Sequence, residues 1–342
     1  MKKIGILNGG GDCPGLNAVI RAVVRRGAQL SFQTLGIKWG WAGLLERDYE
    51  VLDLKSVSGI LHRGGTILGT SRTNPFKDKD GGKRIKDNFS TLALHALVVV
   101  GGEDTLGVAL KVHELGLPVV GIPKTIDNDL AGTDLTFGFD TAVSIATEAI
   151  DRLHTTAESH NRVIVVEVMG RGTGWIATFA GLAGGADVIL IPEKPIKLDQ
   201  VCELIARRHA RGKDFSIVVV AEGAKIEGQE TVKTSKRKDA FGHEQLGGIG
   251  QTLAREIESR CDFETRVTVL GHVQRGGGPT AFDRILATRF GVFATDMVDR
   301  GEFGKMAALR GNQIESIPLA EALQACKTVD PEIFKMAEVF FG

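Results

Sequence analysis

A recurring unit of apolar run, glycine turn and helix-periodic segment constrains this chain more than any other feature. Runs rich in Val, Ile and Leu stand at 4–7, 96–100, 119–122, 163–168, 188–191, 216–221 and 267–270, and most of them run into a glycine. Continuously apolar stretches of this length suit strands buried on both faces, as in a parallel sheet. Between them, helical periodicity marks 17–29, 105–114, 140–158, 198–211, 247–259 and 280–300. The pattern predicts an α/β fold, doubly wound, with mainly parallel sheets. At 342 residues, 43% of them hydrophobic, the chain has material for more than one core, and two domains are expected.

Composition excludes several partner classes. Lys plus Arg and Asp plus Glu both number 42, so no net field recruits nucleic acid or an anionic membrane. No stretch approaches the roughly 18 apolar residues of a span, and the apolar run within 1–7 is too short for a signal peptide. A cytoplasmic location is expected. The cysteines, Cys13, Cys202, Cys261 and Cys326, form no CxxC pair, which predicts reduced thiols and no structural zinc. Residues 225–245, with Lys233, Lys236, Arg237 and Lys238, are polar and aperiodic and read as an inserted surface loop.

In open α/β sheets ligands bind where strand carboxyl ends meet helix amino ends, and three motifs fall there. Gly9, Gly10 and Gly11 precede a helix whose first amides can cradle an anion. Gly101, Gly102, Glu103 and Asp104 open the next helix; acids there complement the helix dipole, or hold Mg²⁺ against phosphates. Lys124, Thr125, Asp127 and Asp129 follow the run 119–122, bringing a cation, a hydroxyl and carboxylates together, although an Asp-Asn-Asp turn alone looks partly similar. Three such loops on one sheet predict a phosphoryl-transfer site.

At this point the chain resembles the phosphofructokinase family over nearly its whole length. The matching motifs are 10–17, 64–72, 101–105, 125–129, 169–171, 222–223 and 270–277. The resemblance implies that Asp127 takes the proton of a sugar C1 hydroxyl, with Thr125 nearby. Arg72, Arg171 and the Gly11 amide would stabilise the transferring phosphoryl, with Gly10 and Gly102 also at the donor. Glu103 would hold Mg²⁺ where the family usually has Asp, and Asp129 would contact the metal from outside its immediate ligands. Met169, Gly170, Arg171 and Glu222 would bind the sugar, and His272 and Arg275 its 6-phosphate. Arg162 and Arg266 would reach into a neighbouring copy's site, implying a homodimer or homotetramer.

Asp104 and Lys124 stand where ATP-using members usually have glycine. That pair resembles the pyrophosphate-dependent branch and implies Mg²⁺-dependent, reversible transfer from pyrophosphate to fructose 6-phosphate, in glycolysis and gluconeogenesis. ATP as donor and sedoheptulose 7-phosphate as acceptor are the alternatives. The resemblance places 1–140 plus 275–305 in a donor and Mg-binding domain and 141–274 plus 306–342 in a sugar-phosphate domain. A family effector site is partly matched by Arg21, Arg25, Gly185, Arg211 and Lys213 but broken at Leu54 and His154, so weak or absent effector control is expected. Two rivals compete. Gly172, Gly174 and Ala177 fit a dinucleotide fingerprint, although no acidic residue follows at the ribose distance, and a sugar-phosphate sensor without chemistry would keep the pocket alone.

Overall fold

The computed structural model describes residues 1–229, 233–238, 241–242 and 244–342. The chain opens with β1 (Lys2–Asn8), α1 (Leu16–Gln29), β2 (Phe32–Ile37), α2 (Trp41–Glu46), β3 (Tyr49–Leu52), α3 (Gly81–Thr91), β4 (Leu94–Gly101), α4 (Glu103–Glu114) and β5 (Val119–Pro123). It continues through α5 (Phe139–His160), β6 (Val163–Val168), α6 (Trp175–Ala183), β7 (Val188–Leu190), α7 (Leu198–Ala210), β8 (Ser216–Ala221), β9 (Lys233–Lys238), β10 (Glu244–Leu246), α8 (Ile249–Cys261) and β11 (Thr265–Val269). The last elements are α9 (Ala281–Arg300), β12 (Lys305–Arg310), β13 (Gln313–Pro318), α10 (Leu319–Ala322) and α11 (Pro331–Glu338).

Two compact units result. The first comprises mainly Met1–Asp140 and Arg275–Cys326; Thr141–Lys238 and Lys327–Gly342 belong to the second. The first unit's sheet runs β13-β12-β5-β4-β1-β2-β3. Its central strands are parallel, and Ile4, Ile6, Val98 and Val100 are fully buried. Because β1 is followed on one side by β2 and reached on the other by β4, the order reverses beside β1, and an open sheet forms its ligand crevice there. The second unit's sheet runs β11-β6-β8-β7, all parallel, with Val163, Val165, Val218 and Val220 at its core.

Three expectations change. β12 and β13 extend the first sheet and the first unit runs to Cys326, whereas 306–342 had been grouped with the sugar segment. Their mixed sequences, KMAALR and QIESIP, carry no long apolar run, and only pairing across the sheet reveals them. Cys202 and Cys261 are joined by a disulfide between α7 and α8, with Cα atoms 5.8 Å apart, so the expectation of reduced thiols fails for this pair; they lie 59 residues apart in sequence and are brought together by packing. The expected loop 225–245 contains the antiparallel ribbon β9–β10, and its residues 230–232, 239–240 and 243 lie outside the described residues.

Candidate active site

The loops expected on the donor side leave adjacent parallel strands. Asn8 is in register with Val100, and Gly101 with Pro123, so the turns after β1, β4 and β5 begin side by side. The glycines there do different things. The amide of Gly9 donates to Val100 O at 2.9 Å and that of Gly10 to Ser71 O at 3.1 Å, so these two amides are spent inside the protein. A side chain on Gly9 would place Cβ 2.5 Å from Thr105 Oγ1, and on Gly101 2.3 Å from Thr105 Cβ. Both glycines exist to admit the buried Thr105. A Cβ on Gly11 would sit 2.7 Å from Arg275 Nη1, which donates to Asp12 O at 3.1 Å.

Lys124 ends this group of contacts. It follows β5, its amide donates to Gly101 O at 2.9 Å, and its Nζ donates to Gly11 O. The residue is only 4% exposed, and burial pushes the ammonium's pKa below the ordinary lysine value; Cys13, Asp12 and Asp127 pull the other way. Burial also pushes the Cys13 thiol up to about 12, so it stays neutral beneath the loop and donates to Phe137 O at 3.7 Å. A cation held in low dielectric acts strongly on any anion that reaches it.

The loop after Lys124 is built by hydroxyls and one asparagine. Thr125 Oγ1 accepts from the Asp127 amide at 3.0 Å, and Thr136 Oγ1 donates to Thr125 O at 2.7 Å. Asn128 is buried with a positive φ of 51°, and its Oδ1 accepts from the Thr136 amide at 3.1 Å. Asparagine tolerates this conformation better than most residues, so Asn128 sets where Asp127 and Asp129 stand. The loop bearing Arg72 is tied down in the same way. Asn17 donates to Arg63 O and accepts from Ile67 N, Asn8 donates to Thr66 Oγ1 at 2.5 Å, and Thr70 donates to Gly10 O at 2.7 Å. Asn8, Asn17, Thr70, Thr105 and Asn128 lie in or beside the sequence motifs, but local sequence assigns them no role; their partners are distant along the chain, and their small polar character beside the glycines is the signal.

The loops expected on the sugar side are adjacent in their own sheet, since Val168 registers with Ala221 and Glu167 with Val269. Gly223 donates to Gly170 O at 3.0 Å, and a Cβ on Gly223 would meet Arg171 O at 1.9 Å. Gly170, at φ 142°, makes the turn that brings the two loops this close. The Met169 amide donates to buried Gln274, whose own amide donates to Gly271 O, linking Met169 to the turn that carries His272. Glu167 is buried, and its carboxylate accepts from Gly248 N and Gly250 N at the amino end of α8.

The two arginines expected to serve a neighbouring copy stand away from this chain's own loops. Arg162 and Arg266 sit at the amino ends of β6 and β11, while Met169–Arg171 and His272 follow the carboxyl ends. The six residues of β6, at about 3.3 Å each, put roughly 20 Å between Arg162 and Met169. Both arginines bind Glu264, at 2.8 and 2.5 Å, and Arg162 foremost holds that carboxyl below the usual range. Arg275 ends the short turn Gly271–Arg275 that also carries His272, and its Nη1 donates to the Asp12 carbonyl at 3.1 Å. The dinucleotide rival loses its anion site: the Gly174 amide, at the amino end of α6, donates to both oxygens of Glu193 at 3.1 and 3.0 Å. A carboxylate already occupies the place a pyrophosphate bridge would need.

The phosphofructokinase family model matches residues 3–298. The chain belongs to that family. It is 60% identical over 342 residues to the pyrophosphate–fructose 6-phosphate 1-phosphotransferase of Streptomyces coelicolor, covering 99% of this chain and 100% of that protein. It is 53% identical over 337 residues to the ATP-dependent 6-phosphofructokinase 3 of the same organism, covering 98% and 99%. Among solved structures, the T-state phosphofructokinase of Pichia pastoris superposes with a TM-score of 0.85 at 34% identity, covering 94% of this chain and 35% of the yeast chain. This phosphofructokinase thus spans about a third of the yeast chain's length. Among the described residues no helix is long and apolar enough to cross a membrane.

Proposed function

We propose that this phosphofructokinase transfers a phosphoryl group from pyrophosphate to the C1 hydroxyl of fructose 6-phosphate, giving fructose 1,6-bisphosphate and phosphate, reversibly. The buried Lys124 ammonium on the Gly11 carbonyl carries the reading. It offers a leaving phosphate a charge that needs no nucleoside, and Asp104 in the first turn of α4 repels the additional phosphate of a nucleotide. Relatives named for either donor share half or more of the sequence, so donor choice rests on this pair.

The chemistry divides among the loops. Asp127, held by Thr125 and Asn128, takes the C1 hydroxyl proton as that oxygen attacks phosphorus. The bond to the leaving phosphate breaks towards Lys124, while Arg72, Arg171 and the Gly11 amide meet the charge on the transferring group. Gly10 has its amide committed to Ser71 and serves by its shape, at φ 80°. Glu222, Met169, Gly170 and His272 hold the sugar phosphate, and Arg275 bridges to the donor loop.

Among the described residues no cluster of three His, Cys, Asp or Glu could hold a metal by itself. That suits Mg²⁺, which accepts one or two carboxylates and takes its other ligands from phosphates and water. Glu103, exposed in the first turn of α4, would hold it, with Asp129 outside its immediate ligands. Bound there, the ion would neutralise phosphate charge. Because Arg162 and Arg266 stand at the far strand ends, they serve a second copy, and a homodimer or homotetramer with shared sites follows. The family assignment favours a cytoplasmic location. Weak effector control is supported by His154, whose ring meets Gly184 O at 2.7 Å, and by Arg211, which donates to Gly342 O.

Initial rates with Mg²⁺, fructose 6-phosphate and either pyrophosphate or ATP test the reading. Turnover with ATP and none with pyrophosphate overturns it. Asp104→Gly combined with Lys124→Gly is expected to lose pyrophosphate activity; full retention would remove the donor argument.

A further inference from the structure

The second unit contains a pocket that the phosphoryl-transfer reading does not use. It lies beneath α11, has an empty volume of about 440 Å³ including its open mouth, and is walled by Ile189, Val201, Leu204, Phe334 and Phe341. α11 closes over β7, which pairs only with β8 and is the sheet's edge. The segment is fastened at its two ends: Trp175 donates to Lys327 O and Val329 to Glu193, while Gly342 donates to Asp187 O and accepts from Arg211. Between those anchors the cover is held by Lys194, which pairs with Glu338 and stands 5.6 Å from the Phe334 ring.

The mouth has a sign. Lys194, Lys197 and Gln200 border it with Glu338 as the single lining acid, and Lys197 and Gln200 belong to the amino end of α7, which has no side-chain cap and whose one first-turn acid, Asp199, pairs with Arg260. Apolar walls with a few convergent polar groups make a small-molecule site, and two ammonium groups beside a helix amino end select an anionic head.

The pocket wall also touches the sugar loops. Glu193, beside Lys194, accepts from Gly174, three residues beyond Arg171. Ile196 donates to Lys225 O and accepts from the Glu227 amide, directly after Glu222 and Gly223. Displacing α11 therefore pulls through Val329 on the carboxylate that seats the Met169–Gly174 turn.

We propose that this pocket binds a small amphipathic carboxylate, apolar body against Leu204 and Phe334 and head on Lys194, and that occupancy weakens sugar-phosphate binding. The coupling rests on the sugar-site reading above; the binding does not. Titration calorimetry with octanoate on the full chain tests it, with octanamide and inorganic phosphate as body-only and head-only controls. Octanoate is expected to bind more tightly than either control. Lys194→Met weakens it about two- to fivefold, the range of a partly exposed ion pair, and Glu338→Gln tightens it by a similar factor because Lys194 is released. Leu204→Trp fills the cavity and abolishes binding; should that variant fail to fold, Gln200→Trp blocks the mouth. Reciprocity requires fructose 6-phosphate to weaken octanoate binding, and octanoate to weaken fructose 6-phosphate binding, by one factor, both read by calorimetry. Equal binding of octanoate and octanamide, unchanged binding in the filled variant, or an unchanged fructose 6-phosphate affinity at saturating octanoate overturns the proposal. A chain that turns over no donor yet shows the full octanoate pattern overturns the phosphoryl-transfer reading instead.

Discussion

Lys124→Met distinguishes a catalytic cation from a structural one. Methionine keeps the apolar stem in a site that is 4% exposed and removes the charge. The lost hydrogen bond to the Gly11 carbonyl was charge-assisted and is worth about 1.5–3 kcal/mol. The desolvation that depresses the ammonium's pKa disappears with it, an opposing term of similar size. The folding free energy is therefore expected to move by less than about 2 kcal/mol, and the melting temperature by a few degrees at most. Catalysis has no such compensation. A preorganised group lost from the developing charge costs about 2.7–4 kcal/mol, or roughly 100- to 1000-fold in kcat. Initial rates with pyrophosphate and a thermal unfolding curve read both quantities on one preparation. The wild type adds a pH signature: since burial lowers the lysine pKa from 10.5 and only the protonated form assists, kcat/KM for pyrophosphate falls as pH rises through a value below 10.5. The variant should lack that limb. A kcat within tenfold of wild type, or a collapse of stability and activity together, would refute the catalytic role of Lys124.

Other outcomes follow from the same geometry. Asp127→Asn should lower kcat by about 100- to 10,000-fold with little change in fructose 6-phosphate KM; a large KM change with kcat preserved would make Asp127 a binding group. Mixing inactive Asp127→Asn chains with inactive Arg162→Ala chains, then re-equilibrating subunits, should restore about a quarter of the sites if two copies share each one; absence of recovery in verified hybrids contradicts shared sites. Gly9→Ala drives a methyl to within 2.5 Å of Thr105 Oγ1 and should cost about 1–3 kcal/mol. Adding Thr105→Ala should recover part of that loss, since the two positions are in contact, and strictly additive melting shifts would show that the clash is relieved elsewhere.

The helix periodicities and apolar runs carried much of the fold. β1, β4, β5, β6 and β8 contain continuous Val, Ile and Leu runs because strands buried on both faces are apolar at most positions, a buried polar residue such as Glu167 needing partners of its own. β2, β3, β12 and β13 are not legible in local sequence: polar residues, and in β2 a glycine, interrupt their apolar positions, and their strand character comes from pairing across the sheet. The loop motifs were equally legible as places, since glycine and acid clusters after apolar runs lie in local sequence. Their duties were less so.

What the sequence by itself determined is where phosphate chemistry can occur: three loops on one parallel sheet, with Lys124 and Asp104 among them. Only the tertiary structure decided which groups remain for that chemistry. It commits the Gly9 and Gly10 amides to Val100 and Ser71 and places Glu193 on the Gly174 amide. It lays Arg275 on Asp12 and sets Arg162 and Arg266 at the strand ends remote from Arg171. The physical reason is one of range: strand and helix preferences follow from neighbours a few residues apart, whereas the use of a hydrogen-bonding group depends on a partner that folding brings from tens or hundreds of residues away.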